Sequence, residues 1–168
     1  GKPTAYPELI RNILNSNPEG LLTIASSLET ALICQHLSIA HSKMQVFATG
    51  WAFSPELLQH GGASVENVIL LVSYNKDNKD KRFLEFKEQF RKRFDQVPNY
   101  AATYSYEAAQ VLVFALNKTD ESEKLKGVIL EQRSFKGIPE DITFDTYGDP
   151  RRKLLILKVI NRHFTAIQ

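Results

Sequence analysis

The chain has 168 residues, 43% of them apolar and 24% charged, with a net charge of +2. That length buries one good core, whole or split into two lobes, and the composition is that of an ordinary globular protein. The charge is too small and too scattered to favour nucleic acid, and no apolar run nears the roughly 18 residues of a membrane helix.

In chain order, "YPELIRNILNSNPEG" places Leu9, Ile10, Ile13 and Leu14 on one face and predicts a helix. Pro7 suits its first turn, and Asn17, Pro18 and Gly20 end it. Gly1 begins directly in this helix-like stretch, with no leader pattern in view. "LLTIA" from Leu21 reads as a buried strand. Ser26 or Ser27 caps a second helix that should turn Leu28, Ala31, Leu32 and Leu37 inward. "MQVFAT" from Met44 is a second strand. "SPELLQHGG" is a short helix with Ser54 as cap, Pro55 at its first position and Gly61 as stop. "NVILLVSY" from Asn67 is a third strand. This alternation predicts an α/β fold: a three-layer sandwich around a mostly parallel sheet.

The rhythm then changes. Residues 80–95 form a helix with Phe83, Phe86, Phe90 and Phe94 in one stripe. The run "KDNKDKRFLEFKEQFRKRF" holds eight Lys and Arg, but acidic residues alternate with them, as on a solvated helix face. After a break at "DQVPNYAATY", the helix "SYEAAQVLVFAL" is apolar nearly all round and should pack on more than one side. "ESEKLKGVILEQ" is another short helix. "SFKGIPEDITFDTYGDPRRKLLILKVI" closes the chain as strand, acidic turn and long apolar strand.

Catalytic chemistry finds little support. Neither GxGxxG nor GxxxxGK[ST] occurs, and Gly61-Gly62 is a helix stop. His36 and His41 are five apart, on different helix faces, and His60 and His163 lie elsewhere; no metal site is read from them. Ser26 and Ser27 are not in a GxSxG elbow. Asp145 and Asp149 stand in "FDTYGD", where a tight turn demands such residues. Cys34, the single cysteine, is a core residue. No cofactor is implied and the chain reads as no enzyme.

In parallel sheets ligands sit at the carboxyl ends of the strands. Those ends are Ala25-Ser26-Ser27, Thr49-Gly50-Trp51 and Val72-Ser73-Tyr74.

Four pieces in order resemble the type I periplasmic binding-protein family, in the branch of leucine/isoleucine/valine binders of ABC importers. They are "FATGWAFSPELLQHGG" with "VENVILLVSY", then "FLEFKEQFRKRFDQVPNYAATYSYEAAQVLVFAL", then "FKGIPEDITFDTYGD", and the last strand with "NRHF". The third is similar to a family ending f-G-x-x-G-x-i-x-F-D-x-x-G-D, with its second glycine replaced near Glu140. The resemblance spans nearly the whole chain and matches the C-terminal half of family members.

It implies a second ligand-binding lobe made of 1–75 and 134–168. Residues 76–95 would be a helix flanking the crossover, and 96–133 would belong to the first lobe. The acidic turn would then complete a lobe. The missing N-terminal lobe would supply most contacts to an amino-acid ligand. The ligand-binding residues implied are Ser26, Ser27, Trp51 and Tyr74. Trp51 stands where amino-acid binders often place an acid that meets the ligand's ammonium. An indole offers a π face instead, which points to an aromatic or amide compound as well as an amino acid.

The function implied is capture of a small molecule for ABC import, with a transporter permease as partner and a periplasmic or extracellular location. The alternative is the ligand-sensing domain of a chemoreceptor or histidine kinase, coupled to a signalling module. A third reading, an α/β enzyme, has no residues to carry it. The apolar helix around residues 100–117 implies self-association of the chain by itself.

Overall fold

The computed structural model describes residues 5–138 and 140–167; the helix-like opening read from Gly1 lies outside them. In chain order the elements are α1 (Tyr6–Asn15), β1 (Gly20–Thr23), α2 (Ser27–Ile39), β2 (Gln45–Thr49), α3 (Pro55–Gly61), β3 (Ile69–Val72), α4 (Lys81–Phe94), α5 (Tyr100–Leu116), α6 (Leu125–Gln132), β4 (Ser134–Phe135), β5 (Ile142–Phe144), β6 (Pro150–Arg151), β7 (Leu155–Ile160) and β8 (His163–Ala166). They form two compact units. One runs to Ser73 and resumes at Leu154; the other is Tyr74–Lys153.

The first unit is built on a five-stranded sheet in the order β1-β2-β3-β7-β8. β1, β2 and β3 run parallel, while β3–β7 and β7–β8 are antiparallel, so the sheet is mixed. One face, carrying Val46, Ala48, Leu70, Val72, Leu157 and Val159, packs on Ile10 of α1, on Ala31, Cys34 and Leu37 of α2, and on Leu57 of α3. Burying a side chain such as Leu57 or Leu70 stabilises the unit by about 2 kcal/mol. All three helices join this one core. The third layer of the expected sandwich is therefore not supplied by the described residues of this unit.

Helix α2 corrects one sequence expectation. Its inward stripe is Thr30, Ala31, Cys34 and Leu37, whereas Leu28 is exposed. Ser26, rather than Ser27, is the cap. Its hydroxyl accepts from the Glu29 amide, and the Glu29 carboxylate accepts from the Ser26 amide, a reciprocal capping box.

The β7–β8 connection is a two-residue turn, Asn161-Arg162, both at positive φ. Glu66 accepts from both of these amides.

The second unit joins α4, α5 and α6 to a three-stranded antiparallel sheet, β4-β5-β6. Of the phenylalanine stripe, Phe83 and Phe86 are buried and Phe94 is exposed. Helix α5 starts at Tyr100, earlier than its apolar run suggests, because Asn99 after Pro98 caps it by accepting from the Ala102 amide. It buries only one stripe, Thr103, Glu107, Val111 and Ala115; Tyr106, Leu112, Val113 and Leu116 are exposed. The expectation of packing on several sides is thus replaced by a one-sided helix.

The acidic turn joins β5 to β6, not to the long apolar strand. That strand, β7, crosses into the other sheet beside β3. Hence the expected grouping of 134–168 with 1–75 does not coincide with the compact units: the stretch divides between Lys153 and Leu154. The reason lies in the pairing, since among the described residues β4, β5 and β6 pair as strands only with one another.

Candidate functional site

The parallel strands β1 and β2 are neighbours, so the segments leaving their carboxyl ends share one edge of the first unit. After β1 come Ile24, Ala25 and the start of α2; after β2 come Gly50 and Trp51 in a short 3-10 turn. Ser26, Ser27 and Trp51 thus stand on one sheet edge. Trp51 is 72% exposed and Ile24 74% exposed, leaving two large apolar side chains in solvent.

Ser26 is engaged locally: its hydroxyl also donates to the Glu29 carboxylate at 2.9 Å. Ser27, in the first turn of α2, is half-buried, and no described partner bonds its hydroxyl. The Thr49 hydroxyl, one residue before the turn, is buried without a hydrogen-bond partner among the described residues. Near Trp51, the Ser54 hydroxyl donates to Glu56.

The hydrogen bonds from Ser26, first from its amide and then from its hydroxyl, hold the Glu29 carboxyl below the usual range. It is ionised at neutral pH and exposed. Glu29, Thr49 and Ile24 were not singled out from sequence. The signal for Glu29 was present as the Ser-x-x-Glu spacing of a capping box.

Tyr74 does not belong to the unit that holds these residues. It is the first residue of the second unit, is buried, and donates its hydroxyl to the Pro98 carbonyl at 2.9 Å. Its ring meets Phe83 and Tyr104 edge-on. The Arg152 guanidinium lies over the Tyr104 ring, 4.8 Å from its centroid. Arg152 also donates to the buried Glu107 at 2.7 Å, and Glu107 accepts from the Ile138 amide at 2.6 Å. Tyr74 and Arg152 both lie beside points where the chain passes between units, and both meet the Tyr104 ring, Arg152 being held in addition by Glu107.

Asp145 behaves as turn chemistry: one carboxylate oxygen accepts from the amides of Tyr147, Gly148 and Asp149. Gly148 sits at φ +98°, where a side chain would be strained. Two clefts of about 320 and 350 Å³ open elsewhere in the first unit. One is at the amino ends of β2 and β3, around Cys34, Met44 and Val68; the other lies between α1 and α2. Neither reaches the carboxyl edge.

The family model described as periplasmic binding protein matches residues 2–162. The chain belongs to the periplasmic binding protein family. No curated protein sequence matches this family member. Its fold is similar to that of a leucine-binding protein from Thermotoga maritima, with 21% identity and a TM-score of 0.81, covering 99% of this chain and 49% of the other. A solute-binding protein of an ABC transporter from R. palustris, in complex with benzoate, is 12% identical with a TM-score of 0.74, over 99% and 47% of the two chains. An extracellular ligand binding receptor from Desulfohalobium retbaense is 21% identical with a TM-score of 0.78, over 98% and 29%. The present chain thus spans about half the length of the first two and less of the third. The family is one of binding proteins rather than enzymes. Among the described residues no helix is long and apolar enough to cross a membrane.

Proposed function

We propose that this chain carries part of the ligand-contacting surface of a periplasmic or extracellular solute-binding protein that feeds an ABC importer. The observation behind the reading is Trp51, a solvent-exposed indole at the carboxyl end of the central parallel strand. A large aromatic left in water on a strand end is a surface for a flat or apolar ligand. The Ser27 hydroxyl, without a hydrogen-bond partner among the described residues, can bond a polar group on the ligand. The ionised Glu29 carboxylate offers a partner to an ammonium, and Trp51 a π face to the same cation or to an aromatic ring. Amino acids and small aromatic acids or amides are the ligand classes proposed. Tyr74, buried and bonded, serves as a crossover anchor. Residues 96–133 belong, in this reading, to the first lobe of a longer protein whose other residues complete the site.

A thermal-shift panel of leucine, isoleucine, benzoate and small amides tests this, on the chain and on the full reading frame of its gene. A ligand at a hundredfold excess over Kd stabilises the folded state by about 2.7 kcal/mol, which the assay resolves. The expected result is a shift that disappears in Trp51→Ala. A shift that survives this substitution would move the site away from the sheet edge.

A second reading, a sensor domain, draws on the similar extracellular receptor, of which this chain covers 29%. An apolar span of about 20 residues encoded after Gln168 would favour it over transport.

A further inference from the structure

We infer that the cleft at the amino ends of β2 and β3 is a second binding site, separate from the carboxyl edge, for a compact aliphatic monocarboxylate. Its volume is about 320 Å³, at the lower end of the roughly 300–1,000 Å³ of small-molecule sites. Every residue that lines it lies between Cys34 and Val68, on α2, the loop into β2, β2 itself and the segment before β3. All of these belong to the first unit, so the lining is supplied by this chain alone.

The lining is of two kinds. Leu37, Val46 and Val68 are buried and, with the half-buried Met44, supply an aliphatic part. Among the described residues no aromatic ring lines the cleft, which favours a hydrocarbon body over a flat one. The polar part is Ser38, Lys43, Ser64 and Asn67. None of these four side chains has a hydrogen-bond or ion-pair partner among the described residues. They offer an ammonium, two hydroxyls and an amide, all able to donate. The acid of the lining, Glu66, already accepts from the Asn161 and Arg162 amides at 2.8 and 3.3 Å. An unpaired cation with three further donors, beside an acid already engaged, selects an anion. The aliphatic part selects a carboxylate with a hydrocarbon body over an inorganic ion.

The rim is held in place without a ligand. The Gln45 side-chain amide donates to the carbonyls of Val46 and Asn67, tying the start of β2 to the segment before β3. The Asn67 amide donates to the Val159 carbonyl at 2.9 Å, and Asn67 sits at φ +67°, a conformation that Asn tolerates. The Ser42 hydroxyl accepts from the Met44 amide and fixes the loop that carries Lys43. Such preorganisation lowers the cost of ordering the site on binding. The same polar groups disfavour a further layer of polypeptide as the occupant, because burying them unpaired costs free energy. A solute that brings its own carboxylate satisfies them with charge-assisted hydrogen bonds.

Titration of the isotope-labelled 168-residue chain with hexanoate, followed by NMR through its amide resonances, tests the inference. The expected result is a set of saturable shifts clustered at Ser38, Lys43, Ser64 and Asn67. Lys43→Met is expected to weaken binding by about tenfold, the loss of one charge-assisted hydrogen bond. Hexanamide, which has no charge, is expected to bind more weakly than hexanoate by a similar factor. Ala63→Leu, at an exposed position of the lining, narrows the cleft and is expected to abolish the shifts. Circular dichroism checks that both variants are folded. The full reading frame of the gene is expected to bind hexanoate in the same way. No saturable shift at millimolar hexanoate overturns the inference, as does binding that both cleft variants leave intact or that hexanamide matches. Loss of binding in the full reading frame also overturns it and gives the cleft to another layer of polypeptide. Binding that Trp51→Ala removes and Lys43→Met does not puts hexanoate at the sheet edge, which overturns this inference and leaves the proposed function standing.

Discussion

Cys34 shows how burial alone sets the chemistry of a side chain. It lies on the inner stripe of α2, and loss of hydration pushes its thiol up to about 11. The neutral thiol is thus favoured in the native state. Its contribution to stability is unaffected below the unfolded pKa and is lost as pH rises from about 9 to about 11. The loss totals roughly 2–3 kcal/mol. Urea unfolding at neutral pH and near pH 10 is expected to show this slope in the native chain and a smaller one in Cys34→Ala. Equal slopes would mean that the thiol is hydrated. The location of Cys34 was legible from its apolar neighbours. The exposure of Leu28, six residues before it, was not. Both belong to one amphipathic pattern, and the sheet face that α2 packs on decides where the stripe is centred.

At the scale of elements, α5 is the clearest case. Its apolar run hides an acid, Glu107, that is buried and paired with Arg152 from the chain just after β6. A buried carboxylate requires such a partner because desolvation of an isolated charge costs several kcal/mol. Glu107→Gln leaves the partly buried guanidinium without its counter-charge and is expected to lower stability by about 3 kcal/mol. Arg152→Met, which leaves the carboxylate unpaired, is expected to cost a similar amount. The double variant is expected to lose less than the sum of the two, by urea unfolding. Strict additivity would show that the pair is not coupled. The same anchoring explains Tyr74, whose ring and hydroxyl are held at the start of the second unit. From sequence, Tyr74 could be placed at the end of a strand but not inside another unit. The residues that bury it, Phe83 and Tyr104, come from later helices.

At the scale of the whole molecule, three carboxylates bear on acid stability. Glu29 is lowered chiefly by the Ser26 amide, Asp80 by the Arg82 amide, and Asp145 by the Asp149 amide. Each lies below its unfolded value, so its contribution is present above the unfolded pKa and is lost as pH falls through the folded one. Together with the Cys34 titration, this predicts a stability plateau from about pH 5 to about pH 9, with a decline on either side. Denaturant titrations across this range check it. An increase in stability on going below about pH 4 would contradict the capping and turn assignments, since the native state would then bind protons more readily than the unfolded chain.

The sequence by itself determined the local structure: the helix starts at Pro7, Ser26, Pro55 and Asp80, the acidic turn around Asp145, and the α/β alternation. Caps and turns are bonds between residues two to four apart, so their signals survive in any short window. It also carried the family likeness, since that rests on an ordered set of such local pieces. Only the tertiary structure decided which strands pair. The sequence does not show that β7 inserts beside β3, about 85 residues earlier in the chain, or that β4–β6 form a sheet of their own. It does not show that three helices crowd one face and leave Leu22, Phe47 and Leu71 in solvent. The physical reason is that an apolar strand is equally suited to any apolar neighbour. The choice among neighbours is made by the shape and connectivity of the folded chain.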